Sequence, residues 1–227
     1  MSIVNRKYSA LAKGEAKAAL DSLLSSTDNP QAYSATMRAL GELLGGVLNQ
    51  KIPAHKQCLL ASTAEDADYL SKGIYDCLKE NHSTKAAVFW NNHYSIPGGS
   101  IAPVVHKFLE PGYEGATILV IAKSIISGSC VVRTNLLELI EHVDPEKIYI
   151  VSPVMHINSE KALRDEFPSY IADKFEFLVF AVDSEKAEDG EGVRITKLDP
   201  KSEAADRGLK PGDIILEVAG DDVTSPA

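Results

Sequence analysis

Apolar positions along the chain alternate between helical spacing and short continuous runs. Leucines at helical spacing occupy residues 13–49 in two pieces, and the turn-forming stretch 26–30 separates them. Strand-like apolar runs follow at 58–62, 85–90, 116–122, 147–154 and 175–182. Helical patterns lie between these runs, at 65–78, 131–141 and 159–166. This alternation predicts an α/β domain in which helices flank a parallel sheet.

Two stretches do not fit the alternation. Residues 91–103 contain too many turn-forming residues for an interior element, so we expect an arm or loop there. The neighbouring Phe89, Trp90 and Tyr94 belong either to an exposed contact surface or to the core. Residues 183–192 are charged and lack large apolar side chains, which is typical of a linker. We therefore predict two domains, 1–190 and 191–227.

Composition excludes several classes of function. A net charge of -9 in 227 residues argues against nucleic-acid binding, and the apolar runs are too short to span a membrane. Three irregularly spaced cysteines fit neither a disulfide framework nor a zinc site, and no two of the six histidines have metal-ligand spacing. Without a recognisable signal peptide, we expect a soluble intracellular protein, in the cytoplasm or inside an organelle.

Three segments of the predicted α/β domain carry a family resemblance. Residues 40–44, 101–129 and 147–168, together with Asp183 after the last strand, resemble uracil phosphoribosyltransferases. The similarity covers about residues 18–190. It implies a type I phosphoribosyltransferase fold, which is often dimeric and has an arm near residues 91–103. It also implies a substrate, phosphoribosyl pyrophosphate (PRPP), that is bound with Mg²⁺.

The stretch after the run 116–122 has the composition of a phosphate-binding turn. Ser127, Gly128, Ser129 and Cys130 are small residues between a predicted strand and a predicted helix. Backbone N–H groups in such a turn, with the positive end of the helix dipole behind them, form a cradle for an anion. The resemblance implies that this turn would hold the 5-phosphate of PRPP.

Other positions depart from the family pattern. The acidic residue that contacts ribose is replaced by Ala122, and the following proline is replaced by Lys123. A lysine cannot replace a carboxylate that accepts hydrogen bonds from ribose. The pyrophosphate loop is replaced by 61–68, which has three carboxylates and no arginine or glycine, and the uracil-reading segment after the last strand is absent. The resemblance therefore implies a degenerate phosphoribosyltransferase.

The last segment of the chain has its own resemblance. Residues 192–223 are similar to the first part of a bacterial-type PDZ domain. Its most specific signature is the segment 204–220. In this segment Gly208 fits a helix stop before Leu209, and Pro211, Gly212 and Asp213 form a tight turn. PDZ domains bind peptides by adding a strand to a sheet edge. The stretch to Ala227 lacks the helix that lines the peptide groove, so we expect a partial module that does not bind peptide alone.

These observations favour a non-catalytic protein that serves as an interaction, linker or assembly module for protein partners, without a cofactor or metal. Two alternatives remain open. One is an active or altered-specificity uracil phosphoribosyltransferase that uses PRPP and Mg²⁺ for nucleobase salvage. The other is a regulator that senses a nucleotide or phosphate in the turn. Family analogy also allows a homodimer, and the identity of the partner is not predicted.

Overall fold

The computed structural model describes residues 6–26, 28–96 and 99–184, and the short strands at 193–194, 214–215, 217–218 and 221–222. The chain divides into two compact units, Met1–Glu185 and Lys186–Ala227. The elements of the first unit form one main sheet with helices on both of its faces.

Helices and strands of the first unit follow one another in the predicted alternation. The helices are α1 (Gly14–Ser25), α2 (Pro30–Lys51), α3 (Ala64–Asp66), α4 (Lys72–Leu78), α5 (Cys130–Ile140), α6 (Ser159–Asp165) and α7 (Ser169–Ala172). A π-helical turn (Ala67–Ser71) joins α3 to α4, and a 3-10 turn (Tyr113–Gly115) precedes β7. The strands are β1 (Arg6–Tyr8), β2 (Gln57–Thr63), β3 (Ser83–Asn91), β4 (Tyr94–Ile96), β5 (Gly99–Ile101), β6 (Val104–Leu109), β7 (Ile118–Ala122), β8 (Ile125–Ile126), β9 (Lys147–His156) and β10 (Phe175–Asp183).

The main sheet has the strand order β1-β10-β9-β7-β2-β3-β6, and β8 pairs with β9 beyond the end of β7. The five central strands are parallel, whereas β1 and β6 at the two edges are antiparallel to their neighbours. The chain runs outward from β2 to β6 and then returns to the other side of β2 at β7. The strand order therefore reverses between β2 and β7. In open α/β sheets, ligands bind beyond the carboxyl ends of the strands at such a reversal.

Two hydrophobic clusters lie on opposite faces of the sheet. The first packs against α1, α2 and α4 and includes Ile118, Val120 and Ala122 of β7. The second packs against α5, α6 and α7 and includes Leu119 and Ile121. Since both faces of β7 are buried, its near-continuous apolar run is explained by a central position in a parallel sheet.

The helical layer over the first cluster depends on a close backbone approach. A Cβ atom on Gly41 of α2 would lie 2.1 Å from the carbonyl oxygen of Leu70, and one on Gly73 of α4 would lie 2.4 Å from that of Arg38. Only glycine lets the two helices approach this closely. This contact fixes the π-helical turn and α4 against α2, and so positions the residues that follow β2.

The predicted fold class, an α/β domain with a parallel sheet flanked by helices, is confirmed. The break between α1 and α2 occurs where the turn chemistry predicts it, because the Asn29 side chain accepts a hydrogen bond from the N–H of Ala32 and Pro30 opens α2. Residues 91–103 contain the hairpin of β4 and β5, in agreement with the expected arm. The helix predicted at 65–78 is interrupted by the π-helical turn.

The described part of the second unit consists of short paired strands. Strand β11 (Val193–Arg194) pairs with β12 (Ile214–Ile215), and β13 (Glu217–Val218) pairs with β14 (Asp221–Asp222), both antiparallel. The predicted signature residues lie outside the described residues, and so does the predicted domain boundary near residue 190. They are Gly208, Leu209, Pro211, Gly212 and Asp213.

Candidate functional site

The candidate site lies where the carboxyl ends of β2 and β7 meet at the strand-order reversal. Strand β2 ends at Thr63 and leads into α3, and β7 ends at Ala122 and leads into Lys123. Ser62 and Ala122 are paired neighbours in the sheet. The residues that follow these two strands must therefore lie side by side, although they are far apart in sequence.

An ion pair occupies this position. Lys123 Nζ lies 2.9 Å from Asp66 Oδ2, and the side chains of these residues are 18% and 4% exposed. Asp66 also accepts hydrogen bonds from the Thr63 hydroxyl at 2.9 Å and from the backbone N–H of Ser124 at 3.2 Å. Glu65, which is mostly exposed, reaches the same ammonium at 3.4 Å. The single cation at the end of β7 is thus neutralised by the acidic stretch that follows β2.

The electrostatics of neighbouring groups agree with this geometry. Burial by itself would lower the pKa of Lys123, but the carboxylates of Asp66 and Glu65 outweigh burial and raise it. Burial, followed by the charge of Asp66, raises the pKa of Tyr33 on α2. Lys123 is therefore protonated and Tyr33 neutral at neutral pH, and the cation has its counter-ion within the protein.

Lys123 and Ser124 interrupt a strand that then resumes. Strand β8 pairs with β9 in the same register as β7, with Ala122 opposite Val151 and Ile125 opposite Val154. Between them, the N–H of Lys123 donates to the carbonyl of Val151 at 3.1 Å. The sequence pattern had indicated a strand that leads directly into a turn. Instead, a two-residue interruption turns Lys123 toward the end of β2.

Ala122 leaves no acceptor at the end of β7. Its side chain is 2% exposed and belongs to the hydrophobic cluster under α2. A methyl group in that position cannot receive a hydrogen bond from a sugar hydroxyl. The sequence-based expectation that Ala122 and Lys123 mark a degenerate acidic position stays a prediction, and the pairing of Lys123 gives it a physical basis.

The predicted phosphate turn leads into α5. Ser127, Gly128 and Ser129 form the turn between β8 and α5, and Cys130 is the first residue of the helix. Gly128 is exposed, and a Cβ atom there would meet no atom within 4 Å. Ser129 precedes the helix without a side-chain capping bond. Gly128 is thus open to its surroundings, and anion binding by the turn stays a prediction.

A carboxylate lies against this turn. The Ser129 hydroxyl donates a hydrogen bond of 2.8 Å to Glu166 Oε1, and Arg133 of α5 lies 3.4 Å from the same oxygen. The hydroxyl that would face a bound phosphate is therefore engaged with a carboxylate. An incoming anion would have to displace Glu166 or share the turn with it.

The loops that follow β2 and β7 could be located from the sequence, but the ion pair that joins them could not. In the sequence, the carboxylates of Glu65, Asp66 and Asp68 indicate only a departure from the family's pyrophosphate loop. In the structure, Asp66 instead pairs with Lys123 across the strand-order reversal. The signal that could have found this pair is the appearance of Lys123 in place of the family's proline in one loop and the gain of carboxylates in the other. Glu166 had no such signal.

Metal clusters and membrane-spanning helices are both absent from the described residues. Within them, no group of three or more histidine, cysteine, aspartate or glutamate side chains could hold a metal ion. No helix in the part of the chain that the structure describes is long and apolar enough to cross a membrane.

Known proteins are similar to both parts of the chain. Residues 172–226 match the family model of the PDZ domain. The first of these residues include β10, which belongs to the main sheet of the first unit. In sequence, no curated protein matches the chain.

Among solved structures, the AQ2163 protein from Aquifex aeolicus is similar, with a TM-score of 0.57 and 14% identity over 77% of this chain and 84% of that chain. A hypoxanthine phosphoribosyltransferase from Staphylococcus aureus matches with a TM-score of 0.39 and 12% identity, over 54% of this chain and 65% of that one. An adenine phosphoribosyltransferase from Thermoanaerobacter pseudethanolicus matches with a TM-score of 0.40 and 10% identity, over 62% and 79%.

The first unit has an α/β fold that is similar to that of the AQ2163 protein, and residues 172–226 match the family model of the PDZ domain. The expected α/β fold and the expected PDZ-like end of the chain are thus confirmed. At these identities the structural matches concern the fold alone, and the uracil-specific part of the resemblance stays a prediction.

Proposed function

We propose that this chain is a non-catalytic protein in which a phosphoribosyltransferase-like domain and a PDZ-type segment act as interaction or assembly modules for protein partners. The observation that carries the proposal is the ion pair between Lys123 and Asp66. The two residues neutralise each other's charge, and together they occupy the position that a ligand would enter.

The chemistry of PRPP explains why this pair matters. Binding a pyrophosphate requires unpaired positive charge or unpaired N–H donors, and binding ribose requires an acceptor. Lys123 is committed to Asp66, and Ala122 supplies no acceptor. Glu65, Asp66 and Glu166 add negative charge around both loops. Binding PRPP would require breaking a buried ion pair and bringing like charges together, both of which are unfavourable.

A turnover assay tests the non-catalytic proposal. The full chain is incubated with PRPP, Mg²⁺ and each of uracil, hypoxanthine and adenine, and nucleotide and pyrophosphate are quantified. We expect no product above the enzyme-free control. Product formation at about 1 s⁻¹ or faster, the range of ordinary enzymes, would overturn the proposal. An active phosphoribosyltransferase in the same buffer serves as the positive control.

A partner-binding surface is supported by exposed apolar side chains at the β6 edge of the sheet. Trp90 is 41% exposed and its ring packs against His106 at a centroid distance of 5.0 Å. Phe108, which lies opposite Val88 across the strand pair, is 48% exposed, and Val105 is also exposed. A group of exposed large apolar residues in one place is typical of a protein interaction site. Of the residues that were left open between surface and core, Trp90 and Tyr94 are exposed, and Phe89 is buried.

Purification of the tagged chain from its native source, with quantitative mass spectrometry, tests this surface. We expect a defined partner whose recovery falls at least severalfold when Phe108 is replaced by serine. The matched control is Leu137→Ser on α5, because Leu137 has similar exposure but lies on another part of the unit. Equal loss in both variants, or no loss in either, would contradict a role for the β6 edge.

The open turn before α5 favours one second candidate, a regulator that binds a phosphate or nucleotide without chemistry. Calorimetry with inorganic phosphate, PRPP and nucleoside monophosphates tests it. Gly128→Val is a suitable variant because a Cβ atom at this position would meet no atom within 4 Å outside the neighbouring residues. Binding that is lost in this variant, without turnover, would support the regulator. The absence of heat with every ligand would exclude it.

A further inference from the structure

Strand β6 is an open edge of the main sheet. It has six residues and pairs with β3 alone among the described strands. At the opposite edge, β1 has only three residues. Proteins normally shorten, charge or cover an exposed edge strand, because its unpaired backbone groups can bind a further strand. Val105 and Phe108 of β6 are 57% and 48% exposed, so this edge is both open and apolar.

The hydrogen bonds to β3 show which backbone groups of β6 face outward. The N–H of Glu110, which follows β6, donates to the carbonyl of Ala86 at 2.9 Å. Along an antiparallel pair, residues that bond to the neighbouring strand alternate with residues that do not. The backbone of Phe108 therefore also faces β3, whereas the N–H and C=O groups of Lys107 and Leu109 point away from it. These outward groups are a template for a further strand.

The regular part of this edge is symmetric about Phe108. The pairing of β6 with β3 is irregular near Val105, where the register shifts between Trp90 and Asn91. Such a bulge bends the strand and interrupts the ladder of hydrogen bonds. Regular pairing therefore extends over residues 106–110, and Phe108 is the midpoint of this segment.

A second copy of this segment, antiparallel and centred on Phe108, complements the first. The two Phe108 rings would lie directly opposite each other, and the outward groups of Lys107 would pair with those of Leu109 from the second copy. His106 would lie opposite Glu110, and an imidazole N–H can donate to that carboxylate. A register centred on Lys107 would oppose two ammonium groups, which is unfavourable.

The side chains of His106 and Glu110 are both accessible for this contact. His106 is exposed, and its ring packs against Trp90 at a centroid distance of 5.0 Å. Glu110 is partly exposed and accepts hydrogen bonds of 3.0 Å from Lys85 and from the N–H of Ala86. Its two oxygens offer about four acceptor sites, so it can accept a further bond. The placement of a donor and an acceptor at opposite ends of one segment favours an antiparallel copy of that segment as the partner.

We propose that the β6 edge binds a second copy of this chain, through antiparallel pairing of residues 106–110 about a twofold axis at Phe108. This inference rests on the proposed function, in which the β6 edge is an interaction surface, and it identifies the partner at that surface. Twofold contacts between identical surface patches are the commonest in homo-oligomers. The main sheet then continues from one copy into the other.

Sedimentation equilibrium of the full chain measures the self-association. We expect a monomer–dimer equilibrium with a dissociation constant of about 1–100 μM, because an interface built on two short strands is small. Phe108→Ser should raise this constant at least about tenfold, because the pair of phenyl rings is lost. The matched control is Leu137→Ser on α5, which has a similar exposure of 46% and should leave the constant unchanged.

A proline variant tests the backbone pairing. Lys107→Pro removes an outward N–H group from each copy, and proline is tolerated on an edge strand where the N–H faces solvent. It should raise the dissociation constant at least about tenfold. Lys107→Ala also loses the 2.7 Å ion pair with Glu138 but keeps the N–H, so it should change the constant by less than about threefold. Should Lys107→Pro fail to fold, the cysteine variants below still decide the outcome.

Cysteine substitution tests the register. In the proposed dimer the two Cα atoms of residue 108 lie about 4.5 Å apart, which is within disulfide range. Phe108→Cys should therefore give a covalent dimer under mild oxidation on a non-reducing gel. Lys107→Cys should give little, because the two residues at this position are diagonal neighbours about 7–8 Å apart. The unsubstituted chain, with its three cysteines, gives the background.

The second copy is refuted if the chain is monomeric at about 100 μM, or if Phe108→Ser and Leu137→Ser dimerise equally well. A Lys107→Cys dimer that forms as readily as the Phe108→Cys dimer refutes the register. These outcomes differ from a failure of the proposed function. A monomeric chain that loses a different protein partner in the Phe108→Ser variant contradicts the second copy but leaves the interaction surface intact. None of these results bears on the turnover assay.

Discussion

Breaking the Lys123–Asp66 pair should destabilise the protein far more than breaking an exposed pair. At 2.9 Å, with an effective dielectric constant of about 20, two unit charges attract by about 6 kcal/mol. Burial of the lysine offsets part of this attraction. Removing one partner of a buried pair costs about 3–5 kcal/mol, because the other charge is left without compensation. Since Lys123 retains 18% exposure, we expect Asp66→Ala to cost about 3 kcal/mol.

A double-mutant cycle measures this coupling. Asp66→Ala, Lys123→Met and the double variant are compared by urea denaturation at neutral pH. We expect Lys123→Met to cost less than Asp66→Ala, because Asp66 keeps its donors from Thr63 and Ser124. The double variant should cost about 2 kcal/mol less than the sum of the two single variants, within the range of direct contacts. In thermal unfolding, Asp66→Ala should lower Tm by about 6–12 °C.

The exposed pair of Lys161 and Asp165 supplies the control. Lys161→Met should change stability by less than about 0.5 kcal/mol, as is usual for surface ion pairs. If Asp66→Ala costs less than about 1 kcal/mol, and the cycle is additive, water screens Lys123 from Asp66. The ion pair would then not close the site, and the observation that carries the proposed function would be lost.

Two further predictions concern other parts of the first unit. Gly41→Ala should destabilise the protein by about 1–3 kcal/mol in urea denaturation, because its Cβ would lie 2.1 Å from the Leu70 carbonyl oxygen. Gly46→Ala in the same helix is the control: its Cβ would meet no atom within 4 Å, and it should stabilise the protein by about 0.5–1 kcal/mol. Equal effects of the two variants would contradict the close helix contact. Burial first, and then His55, lowers the pKa of His82 below the unfolded value of about 6.5, so its contribution to stability is present above that pH and is lost as pH falls. Between about pH 7.5 and 5.5, the free energy of unfolding of the His82→Leu variant should therefore fall less than that of the native chain. Parallel curves of unfolding free energy against pH for the two proteins would refute this.

Much of the fold could be predicted from the sequence because its signals are local. The run Ile118–Ala122 is apolar at every position, and both of its faces are buried. Helix α2 begins where Asn29 and Pro30 supply a cap and a first turn. The edge strand β6 was not predicted, because its side chains are largely exposed and carry no alternation of buried and exposed positions. Strand β8 was not predicted either, since it exists only through its pairing with β9.

The candidate site was harder to predict because its contacts join distant residues. Lys123 and Asp66 lie in different loops, and nothing in either loop alone indicates which carboxylate pairs with the lysine. The same holds for Ser129 and Glu166, which meet only because α5 and the end of α6 lie side by side. Local patterns located the loops. The register of β2 against β7 decides which residues in them meet.

The departures from the family pattern lie in the loops and not in the core strands. This distribution supports the non-catalytic interpretation more strongly than any single substitution does. The strands around the strand-order reversal are buried on both faces, as packing requires. The loops at their carboxyl ends instead hold charges that face one another, Lys123 with Asp66 and Arg133 with Glu166. A binding site for an anionic substrate keeps its donors unpaired until the ligand arrives, and that arrangement is unfavourable for stability. Loops whose charges satisfy one another favour stability over binding, as expected for a domain that serves as a structural partner.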